Sequence, residues 1–516
     1  MRVYDTAFAV KTPKFIDILD KNSFFTRCDS IVLVKIKSTP MLPLTSIPTI
    51  VEHYAPHFEH IFSEEAYEHF KRFVSGLLIS ENKTVEAINR LFVVQARNQS
   101  SLNRFMTESP YEDELVNDSR LSMLQSHAAT RLKGEGMSSG VLSLDDTILP
   151  HYGKHFDHIS LQRDYVNECY VMGHKLVTLF YSDDQAGYPL HWHLWLPADL
   201  DTLQVALQEA QVYINPTKLA NKLNKPAQWR AYLLQRHGLF QYQHPALQEV
   251  YQNKMVIGQG LLKKFFDAHP HLDLPVAFDS FYTAQQMCQY VNEKLKRAYV
   301  GALKASNEVI LSGNKKKKLA AFVAQLKAEH QEHLAKGLPA VFEKTTYPYK
   351  GKKEVCYTYC ASHRIASFAA RQRLVIQYSK QDLSDEPRFL ISNRLHWHAS
   401  GICRIWRHRW PIEEYHQEGK AEGLAKYQLR DFQAIQRHIA FVVVVYSMLQ
   451  CARHDAELLS KLQCKIEPEL DGSLAYWRRL ISAEALCCLV QWIFLMIESG
   501  NSIHDVLKPL MKTMTH

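Results

Sequence analysis

The sequence of 516 residues predicts an α/β fold, a mixed sheet with flanking helices. Short apolar runs bounded by turn residues predict strands at Gly140–Leu144, His174–Ser182 and Tyr188–Pro197. A strand at Leu274–Phe278, a helical pattern and a strand at Ala298–Ala305 follow in that order. Apolar residues at three- and four-residue spacing dominate on both sides of this region, which predicts a helical domain before the sheet and helices after it.

Composition bounds the possible environments of the chain. The net charge is +8 and 46% of residues are hydrophobic, which is typical of a soluble protein with weak bias towards a polyanionic partner. The ten cysteines form no CxxC pair, which favours reduced thiols in a cytoplasmic protein. The first residues, MRVYDTAFAV, lack an apolar core of the length of a signal peptide, so we expect none. The apolar runs Phe441–Leu449 and Leu486–Ile497 are too short to span a bilayer, so we expect buried helices and no membrane.

Changes in residue pattern divide the chain into five regions. We expect a helical N-terminal region at 1–135, a first part of the sheet domain at 136–310, a basic and β-rich insertion at 311–400, a second part of the sheet domain at 401–450, and a helical C-terminal region at 451–516. The insertion begins with the lysine run Asn314–Lys318, for which a solvated loop and a DNA phosphate contact are both open.

Two short helices are predicted in the N-terminal region, at Lys83–Phe92 and Ser100–Ser109. Thr84 is the expected N-cap of the first, and Ser100 or Ser101 that of the second. Two polar-capped helices with a short connection resemble a helix-turn-helix, although a plain helical bundle has the same pattern.

Acidic residues follow two of the predicted strands. Asp145 comes directly after the first strand, with Asp146 as the alternative, and Asp279 follows Leu274–Phe278. Ligands of such sheets usually bind beyond the strand ends, so we expect these carboxylates to converge. His191 and His193 share one strand face and form a second conceivable metal pair, although two polar aromatic residues on a strand face have the same pattern.

A third carboxylate lies on a late helix that Pro411 begins. Glu413, His416 and Lys420 sit at i, i+3 and i+7 and therefore project from one helical face, just after the cationic cluster Arg407–Arg409. A carboxylate flanked by cations is a credible metal ligand beside a polyanion. A solvated charged helix is the other interpretation.

The chemistry of three such carboxylates is that of phosphodiester cleavage. Three strands, a helix, a strand ending in Asp, a helix and a strand is the element order of a ribonuclease H-like fold. Asp145, Asp279 and Glu413 offer the hard oxygen ligands that suit two Mg²⁺ or Mn²⁺ ions. Two ions can activate the attacking oxygen and stabilise the leaving one. Arg409 would hold phosphate bidentately and Lys420 as a point charge.

These residues resemble a DDE-class bacterial insertion-sequence transposase of the group that carries a Tyr-Arg-Glu-Lys signature. The segment RWPIEEYHQEGK matches Arg409, Glu413 and Lys420 to the signature spacing, and Trp406 stands where the family has Tyr. The motifs LDDT and VAFDSFYTA match the two family aspartates, Asp145 and Asp279. The long gap before Glu413 is similar to that of members with a β-rich insertion.

The resemblance implies cut-and-paste transposition: binding of terminal inverted repeats in double-stranded DNA, metal-dependent cleavage, hairpin ends and strand transfer by a homodimer. It makes Asp145, Asp279 and Glu413 metal ligands and Arg409, Lys420 and Trp406 DNA contacts. Two alternatives stay open at this stage. One is a domesticated DNA-binding relative without catalysis, and the other is a ribonuclease H-like endonuclease without strand transfer.

Overall fold

The computed structural model describes residues 42–134, 139–153, 155–164, 167–196, 253–462 and 473–514, together with residues 205, 208, 215 and 217. The start of the N-terminal region and the end of the third predicted strand at Pro197 lie outside the described residues.

Short helices rich in aromatic residues come before the sheet. Their bounds are α1 (Thr49–Tyr54), a 3-10 turn (Ala55–Ile61), α2 (Glu64–Ile79), α3 (Val85–Arg90), α4 (Gln99–Thr107) and α5 (Asp113–Ser126). Thr84 caps α3 by accepting the Ala87 N–H, as predicted. The expected cap of α4 is wrong: the side chain of Asn98, one residue before the helix, accepts the Ser100 N–H.

The sheet is mixed and contains twelve of the described strands. Their bounds are β1 (Val141–Pro150), β2 (Ser160–Asp164), β3 (Cys169–Ser182), β4 (Gly187–Trp195), β5 (Val276–Phe278), β6 (Tyr299–Leu303), β7 (Glu308–Ile310), β8 (Lys316–Lys318), β9 (Glu343–Tyr349), β10 (Lys352–Ile365), β11 (Gln372–Tyr378) and β12 (Arg388–Ser392). The order is β2-β3-β1-β5-β6-β12-β11-β10-β7-β8, with β4 on β3 and β9 on β10. The strands predicted within 136–310 are confirmed.

Strand β1 occupies the centre of the part that carries the site. It pairs antiparallel with β3 and parallel with β5, and β5 pairs parallel with β6. The strands β9 to β12 then continue the same sheet through the antiparallel pair of β12 with β6. The lysine run is not a loop, because Lys316–Lys318 pair with β7 at one end of the sheet.

The remaining helices cover the sheet and bind the N-terminal helices to it. They are α6 (Lys254–Ala268), α7 (Gln285–Gln289) followed by a π-type turn (Tyr290–Lys294), α8 (Leu319–Ala335), α9 (Ala399–Arg407), α10 (Pro411–Glu422), α11 (Phe432–Ala452), α12 (Ala456–Lys461), α13 (Leu474–Glu498) and α14 (Ile503–Met514). Helix α11 is the central one, since its Arg437 is 1% exposed, pairs with Asp113 and donates to four carbonyls of the segment from Phe105 to Tyr111.

Among the described residues, α11 and α13 are long and apolar enough to cross a membrane by length and composition, because each helix extends beyond the apolar run that the sequence shows. Helix α11 is a buried core helix, as expected. Helix α13 is not, because Val490, Phe494 and Leu495 are 58–61% exposed. Its buried half packs on α2 and α11 rather than on the sheet.

Candidate active site

The site forms where β1 and β5 run side by side. In their parallel register Leu144 pairs with Phe278, so Asp145 and Asp279 are the next residues on neighbouring strands. Because side chains alternate along a strand, both carboxylates belong to the face opposite Leu144 and Phe278. The expectation that Asp145 ends a strand is wrong, since β1 continues to Pro150. The two aspartates are nevertheless neighbours, as predicted.

A turn fixes the backbone around Asp279. One carboxylate oxygen, Oδ1, accepts the N–H of Phe281 at 3.0 Å and that of Tyr282 at 2.9 Å. Thr283 donates its N–H to the Asp279 carbonyl at 3.0 Å. Such an Asx turn holds a carboxylate at a strand end with little freedom, which suits a residue that has to meet a fixed partner.

Asp146, the alternative to Asp145, faces the other side of the sheet. It lies 2.6 Å from Lys254 Nζ and 3.8 Å from Lys175 Nζ, and Tyr282 donates its hydroxyl to it at 3.3 Å. Asp146 is therefore satisfied by two lysines. Asp145 has neither of them, and its ion pair is with Arg409 of the helical side.

Helices α9 and α10 bring Arg409 and Glu413 to Asp145. The two helices join in a tight turn whose His408 carbonyl accepts the Ser182 hydroxyl of β3 at 2.5 Å. Pro411 begins α10, and Gly423, with φ of 117°, ends it in the left-handed conformation. Arg409 Nη1 lies 3.7 Å from Asp145 Oδ2, and its Nη2 donates to Glu413.

The other two predicted DNA contacts lie at different distances from this centre. The ring of Trp406 packs under Arg409, with the guanidinium carbon 4.6 Å from the ring centroid, so it orients the arginine through a cation–π contact. Lys420 is two helical turns beyond Glu413, about 10 Å along α10. It has no ion pair with a carboxylate in the described part of the chain, and burial lowers its pKa while the charge of Asp164 opposes the shift.

The electrostatics single out Asp145. Burial, then the charges of Asp279 and Asp146, raise the pKa of Asp145 to about 7, although Arg409 opposes the shift. Burial also raises the pKa of Asp279, while the N–H of Tyr282 lowers it. The positive charge of Arg409 opposes the raised pKa of both aspartates.

Further buried polar side chains lie on β1, β3 and α10, the elements that carry or adjoin the site. Ser143, Thr178, Tyr415 and His416 are buried and have side-chain atoms without a hydrogen-bond partner among the described residues. Ser143 is two residues before Asp145 on the same strand face, and Thr178 is opposite Asp145 on β3. The period-two run Ser143, Asp145, Thr147 is the sequence signal that points to this polar face.

Asp184 supports the turn between α9 and α10, which nothing in the sequence indicates. It accepts the Arg404 guanidinium at 3.0 Å and the Lys350 N–H at 2.9 Å, and it lies 3.3 Å from His408 Nε2. Burial opposes ionisation, yet these contacts lower the pKa of Asp184. This carboxylate of the β3–β4 connection therefore fixes the segment that carries Arg409.

Asp145, Asp279 and Glu413 have the donor chemistry for a hard divalent cation, and the raised pKa of the two aspartates fits a site that a cation neutralises. No group of three His, Cys, Asp or Glu side chains is close enough to hold a metal ion in the part of the chain that the structure covers. Glu413 in particular is paired with Arg409 instead. His191 and His193 likewise belong to no such group.

Comparison with known proteins gives little. No protein-family model matches the chain, and no curated protein sequence does. Among solved structures, a piggyBac transposase synaptic complex with hairpin DNA is similar at 9% identity and a TM-score of 0.39, over 91% of this chain and 82% of that one. Similarity at this level establishes neither a shared fold nor a shared activity.

Proposed function

We propose that the chain is a DNA transposase that cleaves phosphodiesters and transfers strands. The observation that carries the proposal is that Asp145 and Asp279 are neighbours on adjacent parallel strands, while Arg409 pairs with both Asp145 and Glu413. The same four residues stand at the positions that resemble the insertion-sequence transposases with a Tyr-Arg-Glu-Lys signature. Sequence spacing and spatial neighbourhood therefore support one site.

We also propose that this part of the sheet has a ribonuclease H-like fold. Strands β1, β3 and β4 are followed by helix α6, strand β5, helix α7 and strand β6, and these five strands are neighbours in the sheet order β4-β3-β1-β5-β6. This is the element order from which a ribonuclease H-like sheet is predicted. The additional strand β2 pairs with the first residues of β3.

Asp145, Asp279 and Glu413 would hold Mg²⁺ or Mn²⁺, two ions in the proposed enzyme. Such ions would supply activation of the attacking oxygen and neutralisation of the leaving one. For Glu413 to take part, its ion pair with Arg409 has to open.

The remaining residues would bind and orient DNA. A guanidinium released from Glu413 would be free to hold a phosphate through two parallel N–H groups. Trp406 would keep it aligned by stacking, and Lys420 would contact the next part of the backbone as a point charge. Hydrolysis would leave a 3′ hydroxyl on the element end. That hydroxyl would then attack a target phosphodiester, so that a new P–O bond forms while the bond to the 3′ oxygen of the target strand breaks and this oxygen leaves as a hydroxyl.

The proposed partners are double-stranded DNA and a second copy of the chain. Exposed apolar residues repeat every four positions on α13 and continue on α14; they are Leu486, Val490, Phe494, Ile503, Leu507 and Met511. Such i, i+4 ridges are what helices pack into one another. We propose this surface, the α13–α14 ridge, as the homodimer contact of a cytoplasmic, nucleoid-associated protein.

A binding-only chain is the second candidate, and one observation favours it. Arg409 is bound to Asp145 and Glu413 at once, so a positive charge already lies between two of the three carboxylates. A catalytically silent DNA-binding protein would have no need to open this contact. Cleavage of DNA carrying the element's own ends, with Mg²⁺ or Mn²⁺, separates the two candidates when wild type is compared with Glu413→Gln.

A further inference from the structure

A second polar cleft lies at the far end of β1, apart from the carboxylates. It has a volume of about 480 Å³, and its walls come from the connection between α2 and α3, the loop after Pro150 and the segment after α10. Five residues of strand separate Asp145 from Pro150, which is about 17 Å. The cleft is therefore a separate site on the same strand.

One wall of the cleft is a cationic ribbon. After a turn at 423–425 the chain leaves the helix, and Lys426, Gln428 and Arg430 are exposed and line the cleft while Tyr427 is buried. Lys426 and Arg430 have no carboxylate within 4 Å in the described part of the chain. Glu81 is the one acidic residue that lines the cleft, and Lys426 Nζ is bonded to its carbonyl oxygen at 3.5 Å.

The opposite wall carries an aromatic ring that nothing covers among the described residues. Tyr152 is fully exposed, at 107% of its reference area, although it lines a cleft. The face of the ring is therefore accessible for stacking on a ligand. His155 is exposed on the same loop.

The cleft is built on a fixed floor. His151 stacks on Tyr427 with ring centroids 4.1 Å apart, and Phe156 packs against His151 at 4.6 Å. His174 of β3 is hydrogen-bonded to the Tyr427 hydroxyl at 2.6 Å and to the Asp157 carbonyl at 2.7 Å.

The loop is also tied to the ribbon through its backbone. The Asp157 N–H donates to the Arg430 carbonyl at 3.0 Å, and the Asp157 carboxylate accepts the Phe432 N–H at 3.1 Å. These two hydrogen bonds therefore tie the loop that carries Tyr152 to the cationic ribbon.

Helix α10 connects the two sites. It carries Glu413 in its first turn and Lys420 about 10 Å further on, and the chain after it leads to Lys426 and Arg430. Cations thus recur along a path from the carboxylates to the cleft, as expected for a surface that follows a phosphodiester backbone.

We infer that this cleft binds an unpaired nucleotide of a DNA strand, with its base stacked on Tyr152 and its phosphates on Lys426 and Arg430. Aromatic rings beside a positive groove are how proteins bind single strands without sequence preference, because every base has a stacking face. The inference rests on the proposed function for the identity of the strand, since it places the cleft on the path of the DNA that the carboxylates would cleave.

The test is binding by the full chain in EDTA, measured by fluorescence anisotropy. The probe is a fluorescein-labelled single-stranded oligothymidylate of about 12 nucleotides, within the site sizes of single-strand binding folds. We expect Tyr152→Ala to bind roughly 5- to 150-fold more weakly and Tyr152→Phe to stay within about twofold of wild type. An oligonucleotide with abasic positions should bind wild type and Tyr152→Ala equally.

Matched controls separate stacking from a general loss of structure. Tyr170→Ala removes another exposed tyrosine, outside the cleft, and should bind like wild type. Lys426→Ala and Arg430→Ala should each lower the salt dependence of log K by about 0.7, the value for one phosphate contact on a single strand. Lys263→Ala, an exposed lysine of α6, should leave it unchanged.

Unchanged binding by Tyr152→Ala, or an equal loss in Tyr170→Ala, would overturn the inference. Its failure is distinguishable from that of the proposed function. If cleavage depends on Glu413 but Tyr152→Ala binds and cleaves like wild type, only the inference that the cleft binds a nucleotide is refuted. Tyr152-dependent binding without any cleavage would refute the transposase and leave the cleft.

Discussion

Arg409 Nη1 lies 3.7 Å from Asp145 Oδ2, and this ion pair joins the turn before helix α10 to the centre of the sheet. The same guanidinium also donates to Glu413, one helical turn further on. Arg409 is 8% exposed, so its charge acts on both carboxylates with little screening by water. Arg409 is therefore the common ion-pair partner of Asp145 and Glu413 in the proposed site.

The first prediction concerns Arg409. We expect Arg409→Ala to reduce cleavage about 100-fold or more, as loss of one preorganised donor does. Its pH profile should move to higher pH, because Arg409 lowers the pKa of Asp145. Arg409→Lys keeps the charge and should keep the profile, although it loses bidentate contact. Rate against pH for the three proteins is the measurement, and identical profiles for wild type and Arg409→Ala would contradict the electrostatic role.

The second prediction concerns stability and pH. The pKa of Asp145 is about 7 in the folded chain against 3.8 ordinarily, so between these values the folded state binds more protons than the unfolded one. Stability contributed by Asp145 therefore falls as pH rises through this window. Asp145→Asn stays neutral and should exceed wild type in thermal midpoint near pH 8, but not near pH 4, in EDTA.

Asp146→Asn is the matched control for that experiment. It changes the neighbouring carboxylate, whose partners are Lys254 and Lys175 on the other face, and should lower the midpoint near pH 8. A destabilised Asp145→Asn at the higher pH would show that Asp145 is held as a paired anion instead.

The third prediction concerns Asp184. Asp184→Ala leaves Arg404 and the Lys350 N–H without their acceptor and should cost about 1–3 kcal/mol of unfolding free energy. Cleavage should fall further than stability alone explains, because the turn that carries Arg409 loses its support. Chemical denaturation and cleavage rates check this, with Asp382→Ala as an exposed control. Full activity at 25 °C in a destabilised Asp184→Ala chain would refute the positioning role.

The fourth prediction concerns the α13–α14 ridge. Val490→Asp and Leu507→Asp introduce charge at exposed apolar positions and should abolish a dimer while the monomer stays folded. Sedimentation or light scattering of the full chain gives the mass. Unchanged mass in both variants would place any dimer contact elsewhere, and Leu395→Asp, at another exposed leucine, serves as the control.

Much of the sheet could be predicted because buried strands have a strong local pattern. Strands β3, β4, β5 and β6 lie within or close to the predicted ranges. The sequence predicts that strand β1 stops at Leu144, where the short apolar run ends. Its continuation depends on partners distant in sequence, for Lys254 neutralises Asp146 and Arg409 neutralises Asp145.

The sequence also left the choice between Asp145 and Asp146 open. That choice is a matter of strand face, and a face is defined only by the pairing of Leu144 with Phe278 more than a hundred residues away. The contacts of Asp184 with Arg404 and the Lys350 N–H could not be predicted either, because these partners are also distant in sequence. The exposed half of α13 is as apolar as a core helix. It differs only in that no other described element covers it, and amino-acid composition does not indicate which elements pack together.

The central claim is that Asp145, Asp279 and Glu413 form one catalytic site. The most direct measurement is cleavage of DNA carrying the element's own ends, with Mg²⁺, with Mn²⁺ and with EDTA, by wild type, Asp279→Asn and Glu413→Gln. We expect metal-dependent release of the ends by wild type alone, with binding of the ends retained by all three proteins. Normal metal-dependent cleavage by either variant would contradict the site, and tight binding without cleavage by wild type would contradict the transposase.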